Sequence, residues 1–587
     1  MSILLVLITW TVWLVALIGI GHLISYLVAS RWTRRSRLEA SAWIGLASVA
    51  MLSSAIQIWL PLGGPASRVI FGLIGLVGVG NAARLAWSLR TQAALVLGKS
   101  ITIRRWPSLL LLGLFGIGLA LSANFALAEP MDGDAGLYRI GAILYAQEYS
   151  LPPGLANLHS RFGFNSSLWP FAALMGSGIW EGMGFRLVTG LFISVLFWSM
   201  VARIGLTRRR GPLPGDWFSI LGGAFVAAIV FTDSGRWLPS PAQDLVLLIV
   251  GIGSTAYLLD YLVRRTCQES AAMALLLAAF AGTIRPLGWV LFAATLVTLA
   301  ATLLRSHTQI AGLWARVWRP TARPVVISVV FLFVMLIRDL LLSGWLLYPL
   351  TYAPVPVDWR APDPTAVRNW ITWYARAPGA DGLSAQDGSW FRPWVESIWA
   401  SREISVSRWM LGASLLPLLW RKGRRAWRYS WHTIALGAAP AFAVAITWFI
   451  TAPDVRFGWL GFIGVAAVPL SVLLYAGAYP YWVARVAGVL LLVLLLFTQV
   501  LNSRVFPRGA ETQPTDLGNG LLSLTVYLAP PQTPITSVGS LSDGTPVTHP
   551  TQDGNCWAQF PLCILPGSGA GIERRGPQLS DGFRGAD

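Results

Sequence analysis

The chain has 587 residues, of which 55% are hydrophobic and only 12% charged, and it carries a formal net charge of +18. Soluble domains carry roughly 25% charged residues, so this composition, with a mean hydropathy of +0.60, excludes an ordinary soluble protein. The positive charge does not single out nucleic acid either, because it is split into short clusters between apolar runs.

Apolar runs of about 20 residues, enough to cross a hydrocarbon core of roughly 30 Å as helix, recur along the whole chain. Spans are predicted near 3–29, 40–61, 68–89, 107–128, 184–206, 217–233, 242–263, 270–284, 286–304, 324–346, 405–420, 430–451, 457–478 and 482–502. The runs are continuous rather than alternating, which selects helices over a barrel. The fold expected is an all-α polytopic membrane protein of about 12–14 transmembrane helices. The pair 270–304, broken at "TIRPLG", reads as two spans or as a re-entrant hairpin.

Basic clusters at 31–37, 104–105, 208–210, 264–265 and 421–428 fix the topology by the positive-inside rule. Both termini then lie on the outer face, and acidic residues agree, since Glu39 is the only acid before Glu129. The expected organisation is transmembrane helices over 1–128, an external loop over 129–183, helices over 184–346, an external interfacial loop over 347–404, helices over 405–502 and an external tail over 503–587. The loop at 347–404 is rich in Trp and Pro and reads as one or two amphipathic helices. In the tail, Cys556 and Cys563 of "CWAQFPLC" suit a small disulfide loop outside the cytoplasm, while Cys267 falls inside; the Gly-rich end reads as disordered.

The chemistry centres on "AEPMDGDAGLYRIGAILYAQEYSLPPGLANLHSRFGFNSS", which places Asp132 and Asp134 directly after an uncharged span. Tyr138 follows one turn later, so a helix is expected over about 135–148, and Asp134 is equally placed to cap it. One carboxylate can take a proton from an incoming hydroxyl, and the other can hold a divalent cation, magnesium or manganese, against a phosphate. Arg285, Arg338 and Arg456 fall at outer ends of spans, where charges line a cavity, pair with a partner or snorkel. Asp244, in "LPSPAQDL", is a candidate partner for them. His159 and Arg161 add donors on the acidic loop, beside Asn157 and Asn165.

An external-loop acid followed by D-x-x-x-Y ("DAGLY"), a helix and a Pro-containing turn resembles the GT-C superfamily of membrane glycosyltransferases, which includes the aminoarabinose and protein-mannose transferases. From about residue 107 onward, "DAGLYRIGAILYAQEYSLPPGLANLHSRFGFNSS", "LPSPAQDL", "LLLSGWLLYPL", "PDVRFGWLG" and "CWAQFPLC" are similar to a bacterial family of large multi-pass proteins grouped with GT-C by fold. The resemblance implies inverting transfer of a sugar from a polyprenyl phosphate to a protein, glycan or lipid acceptor at the outer face of the bacterial plasma membrane. Asp134 would be the base or the metal-contacting carboxylate, the base being the favoured role, and Asp132 would take the other, with arginines such as Arg285, Arg338 and Arg456 neutralising the leaving phosphate. Two features depart from the superfamily pattern. About three further spans precede the acidic loop, and the second acid comes before the D-x-x-x-Y acid rather than after it. The rival expectations are a transporter or lipid flippase using the same Asp and Arg residues, and a scaffold subunit.

Overall fold

The computed structural model describes residues 2–28, 34–97, 106–128, 130, 132–232, 237–265, 267–305, 313–376, 388–479, 535–550, 555–557, 559–564 and 571–585. The span expected at 482–502, the tail as far as 534, Glu129 and the basic residues at 31–33 and 104–105 lie outside the described residues.

In chain order the helices are α1 (Ser2–Val28), α2 (Arg34–Ile56), α3 (Pro65–Leu97), α4 (Trp106–Ala126), α5 (Ile140–Glu148), α6 (Leu155–Leu158), α7 (Leu168–Met175), α8 (Gly184–Arg210) and α9 (Pro214–Thr232). They continue with α10 (Gln243–Val263), α11 (Gln268–Ile284), α12 (Leu287–Arg305), α13 (Leu313–Ser343), α14 (Thr365–Arg376), α15 (Phe391–Ala400), α16 (Arg402–Leu415), α17 (Arg421–Thr451) and α18 (Val455–Tyr475). Among the described residues, nine helices are long and apolar enough to cross a membrane, and three shorter apolar helices accompany them. The chain is therefore an all-α polytopic membrane protein in its helical bundle. Such helices satisfy every interior backbone group internally, which lipid cannot do.

Two expectations are refined. The "TIRPLG" break separates two distinct helices, α11 and α12, that pack against each other. The span expected at 405–420 is a 14-residue helix, α16, running into a 3-10 turn at Leu416–Leu419. Pro417 has no N–H to continue the α-helical ladder, so the segment tightens there.

Small residues set the closest helix contacts. A Cβ at Gly45 of α2 would lie 2.0 Å from the Leu17 carbonyl oxygen of α1, so only glycine permits that approach. At the centre, α10 is buried along nearly its whole length, packed by α9, α11 and α18. At the end remote from the acidic loop, α2, α8, α9 and α10 share a buried ionic brace. Arg203 donates through Nε to Glu39 Oε1 at 2.9 Å and through Nη1 to Asp260 Oδ2 at 2.7 Å, and lies 3.4 Å from Asp216 Oδ1.

The segment 129–183 is packed rather than solvated: Ala135, Leu158 and Phe171 are fully buried. The loop at 347–404 contributes the two short helices α14 and α15, tied to the bundle where Trp394 Nε1 donates to the Pro453 carbonyl at 2.6 Å. The tail forms two antiparallel hairpins, β1 (Ile535–Ser540) with β2 (Pro546–Pro550) and β3 (Ile572–Arg574) with β4 (Phe583–Gly585). Of its Gly-rich end, expected to be disordered, residues 565–570 lie outside the described residues, and 571–585 carry the second hairpin. Phe583 is fully buried, its N–H donates to the Pro153 carbonyl at 2.9 Å, and Arg575 pairs with Asp358 at 2.7 Å.

Candidate active site

The acidic segment begins as a helical turn, with the Asp132 carbonyl accepting from Ala135 N–H at 2.8 Å. Residues Ala135–Arg139 then form a π-helical turn that passes directly into α5. Hydrogen bonding five residues apart stacks residue i near residue i+5, so Asp134 and Arg139 share a side. Asp134 itself is helical (φ −63°, ψ −28°) and makes no side-chain capping bond. The capping role open to it in the sequence is not the one it takes; its carboxylate is turned toward arginines.

Three guanidinium groups reach that carboxylate. Arg139 Nη2 lies 2.9 Å from Asp134 Oδ2, Arg161 Nη1 2.7 Å from Oδ1, and Arg456 Nη2 2.9 Å from Oδ2. Asp132 pairs with Arg139 through Oδ2 and lies 3.7 Å from Arg456 through Oδ1. Burial works to raise the Asp134 carboxyl, but Arg139, Arg456, Arg161 and Arg285 outweigh it and hold it well below the usual carboxylate range. Asp134 is therefore ionised, in a cluster drawn from distant parts of the chain.

Exposure divides it. The side chains of Arg139 and Asp132 are 2% and 9% exposed, whereas Arg456, Asp134 and Arg161 are 17%, 16% and 12% exposed. Arg139 and Asp132 form the inner wall; the other three keep slight exposure. Arg285 adds a fourth guanidinium, ion-paired with Asp244 at the start of α10. The Phe457 ring lies 3.8 Å from Arg285 Cζ and 4.9 Å from Arg456 Cζ, so one aromatic holds both cations. Over Arg161 lies Trp370 of α14, with its ring centroid 4.4 Å from Cζ. The loop at 347–404 thus closes on the site. Tyr138 lines the floor, packed edge-on against Phe164 and Trp169.

Other candidates do different work. Arg338 donates to Asn165 Oδ1 at 3.1 Å, to the Ser54 carbonyl at 3.0 Å and to Gln57 Oε1. These neutral acceptors make it a brace between α13 and α2, outside the arginine cluster. Asn165 completes that brace by donating to the Met335 carbonyl at 2.9 Å. Asn157 donates to the carbonyls of Trp359 at 2.9 Å and Phe583 at 3.4 Å, tying three segments together. His159 accepts from Arg161 N–H through Nδ1 at 3.2 Å and caps the 3-10 turn Ser160–Gly163. Burial first and then the nearby Arg161 charge lower its pKa to about 4, so at neutral pH it carries no charge to offer a phosphate.

All four oxygens of Asp132 and Asp134 face guanidinium groups. That surrounding repels a dication, and the residues present do not fit the divalent metal considered from the sequence. Among the described residues, Cys556 and Cys563 are joined as a disulfide. Sequence reasoning passed over Arg139, whose only signal was being a charge in a charge-poor run, and over Trp370, which had none.

No curated protein and no solved structure matches the chain. A family model described as a domain of unknown function (DUF8201) matches residues 3–463, a stretch that holds Asp132, Asp134 and all four arginines of the site. The chain belongs to that family.

Proposed function

We propose that this protein is a GT-C-type membrane glycosyltransferase that moves a sugar from a polyprenyl-phosphate donor to an acceptor outside a bacterial plasma membrane, with both termini on the outer face. The observation that carries the reading is the partly exposed side of the cluster, where one ionised carboxylate, Asp134, sits among Arg161, Arg285 and Arg456 at the end of the spans. A lipid phosphate needs cations there, and an acceptor hydroxyl needs a base beside them.

In this mechanism the donor phosphate competes with Asp134 for Arg161 and Arg456. As those guanidinium groups turn to the phosphate, Asp134 loses the contacts that suppress its basicity. The acceptor oxygen attacks the anomeric carbon while the bond to the phosphate oxygen breaks. Phosphate leaves with the electron pair, stabilised by the arginines, and the hydroxyl proton passes to Asp134. A single displacement inverts the anomeric configuration. Arg139 and Asp132, on the inner wall, hold the turn and set the charge; no step passes through a metal.

The test is Asp134→Asn, assayed with a panel of radiolabelled polyprenyl-phosphate sugars in membranes. Asn preserves volume, and a size-exclusion profile checks folding. Transfer by wild type and none by the folded variant supports the reading. Equal activity in both removes Asp134 as the base. Counterflow uptake of the same lipids without transfer would favour a flippase instead.

A further inference from the structure

The tail touches the acidic turn directly, although it lies beyond the stretch matched by the family model. Trp557 N–H donates to the Gly136 carbonyl at 2.8 Å, in the middle of the π turn between Asp134 and Arg139. Its indole packs so closely that a Cβ at Gly136 would lie 2.7 Å from two ring atoms. The same loop makes three further contacts with α5 and the residue after it. Tyr145 Oη donates to the Pro561 carbonyl, and the Phe560 ring sits 4.8 Å from Tyr145 and 5.9 Å from Tyr149, centroid to centroid. Burial keeps the Tyr145 hydroxyl protonated by raising its pKa far above the usual phenol value. Trp557 holds φ at +48°, a left-handed conformation that bulky side chains rarely adopt and that marks positions fixed by their surroundings.

We infer that the loop closed by Cys556–Cys563 is a positioning element of the acidic site, with Trp557 its contact residue and the disulfide its fastener. Hydrogen bonding in a π turn competes with ordinary α-helical pairing, so a turn one residue out of α register needs an external hold. The Trp557 N–H and indole supply it at Gly136, and the Tyr145 and Phe560 contacts anchor the helix that follows. If the turn slipped to α register, Asp134 and Arg139 would separate around the helix axis.

The disulfide makes this hold reducible. A dithiol attacks one sulfur, passes through a mixed disulfide, and closes to its own cyclic disulfide while Cys556 and Cys563 become thiols. Two electrons and two protons move from dithiol to protein, and the loop loses its closure. The hold on the turn is independent of catalysis; only its effect on kcat rests on the proposed transferase activity.

The deciding measurement is amide hydrogen exchange across residues 132–148 of the full chain in lipid nanodiscs. Trp557→Ala, the Cys556→Ser/Cys563→Ser double variant and wild type treated with dithiothreitol should each exchange about tenfold faster there, with α10 amides unchanged. Trp557→Phe, which retains an aromatic ring and the backbone N–H, should stay near wild type. Gly136→Ala should loosen the turn in wild type but much less in the Trp557→Ala background, because the clash is with the indole. Unchanged exchange in Trp557→Ala, or equal loosening in α10, overturns the inference. In transfer assays kcat should fall in Trp557→Ala while donor KM holds. Absence of transfer by wild type would sink the transferase reading and leave the exchange result to decide this one.

Discussion

Arg456, in the first turn of α18, meets Asp134 at 2.9 Å and approaches Asp132 at 3.7 Å with the other guanidinium nitrogen. One planar group thus spans both acids of the loop from a helix in the last third of the described bundle. A lysine at this position keeps the charge but cannot hold both carboxylates with a rigid fork. In Arg456→Lys, transfer should fall by about 10²–10³ in kcat, the usual effect of removing one preorganised donor at a developing anion. Donor KM should change far less. A steady-state comparison with Arg338→Lys checks this, because Arg338 sits in the neutral brace and its change should lower stability without that kcat effect.

The metal requirement follows from the same contacts. With every Asp132 and Asp134 oxygen turned to an arginine, the proposed reaction would draw the cations that balance its leaving phosphate from the protein. Transfer should survive exhaustive chelation, and added magnesium or manganese should not raise it. Activity that collapses in chelator and returns with one of these ions would show the carboxylates let go of their arginines to bind it.

His159 gives the fold a pH dependence of defined sign. Its folded value, about 4, lies below the ordinary 6.5 because burial and Arg161 disfavour the charged ring. Between those values the unfolded chain takes up a proton that the folded chain refuses, so stability falls as pH drops from 6.5 toward 4, by ~3 kcal/mol in total. Asp134 acts lower. Its depressed folded value means its contribution is intact above the ordinary carboxylate range and is lost only as pH falls through and below it. His159→Asn keeps a side-chain acceptor for the Arg161 N–H and should flatten thermal stability over pH 6.5–4. An unaltered slope in the variant would assign the acid sensitivity to another group.

The sequence displays some of this site openly and hides the rest for physical reasons. Asp132, Asp134, Arg285 and Arg456 stand out because each is a charge at the end of an apolar run, where burial without a partner is costly. Arg139 does not, since only the π register brings it beside Asp134. Asn157, His159, Asn165 and Arg338 look like ligand contacts for the same reason as the acid–arginine cluster: they are polar residues in a greasy chain. His159 is taken up locally, accepting from Arg161 N–H, but the roles of Asn157 and Arg338 depend on partners (Trp359, Phe583, Ser54, Gln57) that come from remote segments. The order of the last hairpin likewise depends on Pro153 and Asp358, which no local composition reveals.

The buried brace at the other end separates stability from chemistry. Arg203 binds Glu39, Asp216 and Asp260, which lie on three different helices, and all four side chains are nearly inaccessible. Arg203→Met would leave three buried carboxylates without their shared guanidinium, and breaking such a network by removing one partner costs about 3–5 kcal/mol. The expected result is a lower unfolding midpoint and less protein in the membrane. Yet Arg203 belongs to the opposite end of the bundle from Asp134, so transfer per folded molecule should match wild type. Measuring both on the same preparation decides the matter: a loss of kcat in folded Arg203→Met would mean the brace is coupled to the site through α8 or α10, and a normal kcat with reduced stability would confine it to holding the bundle together.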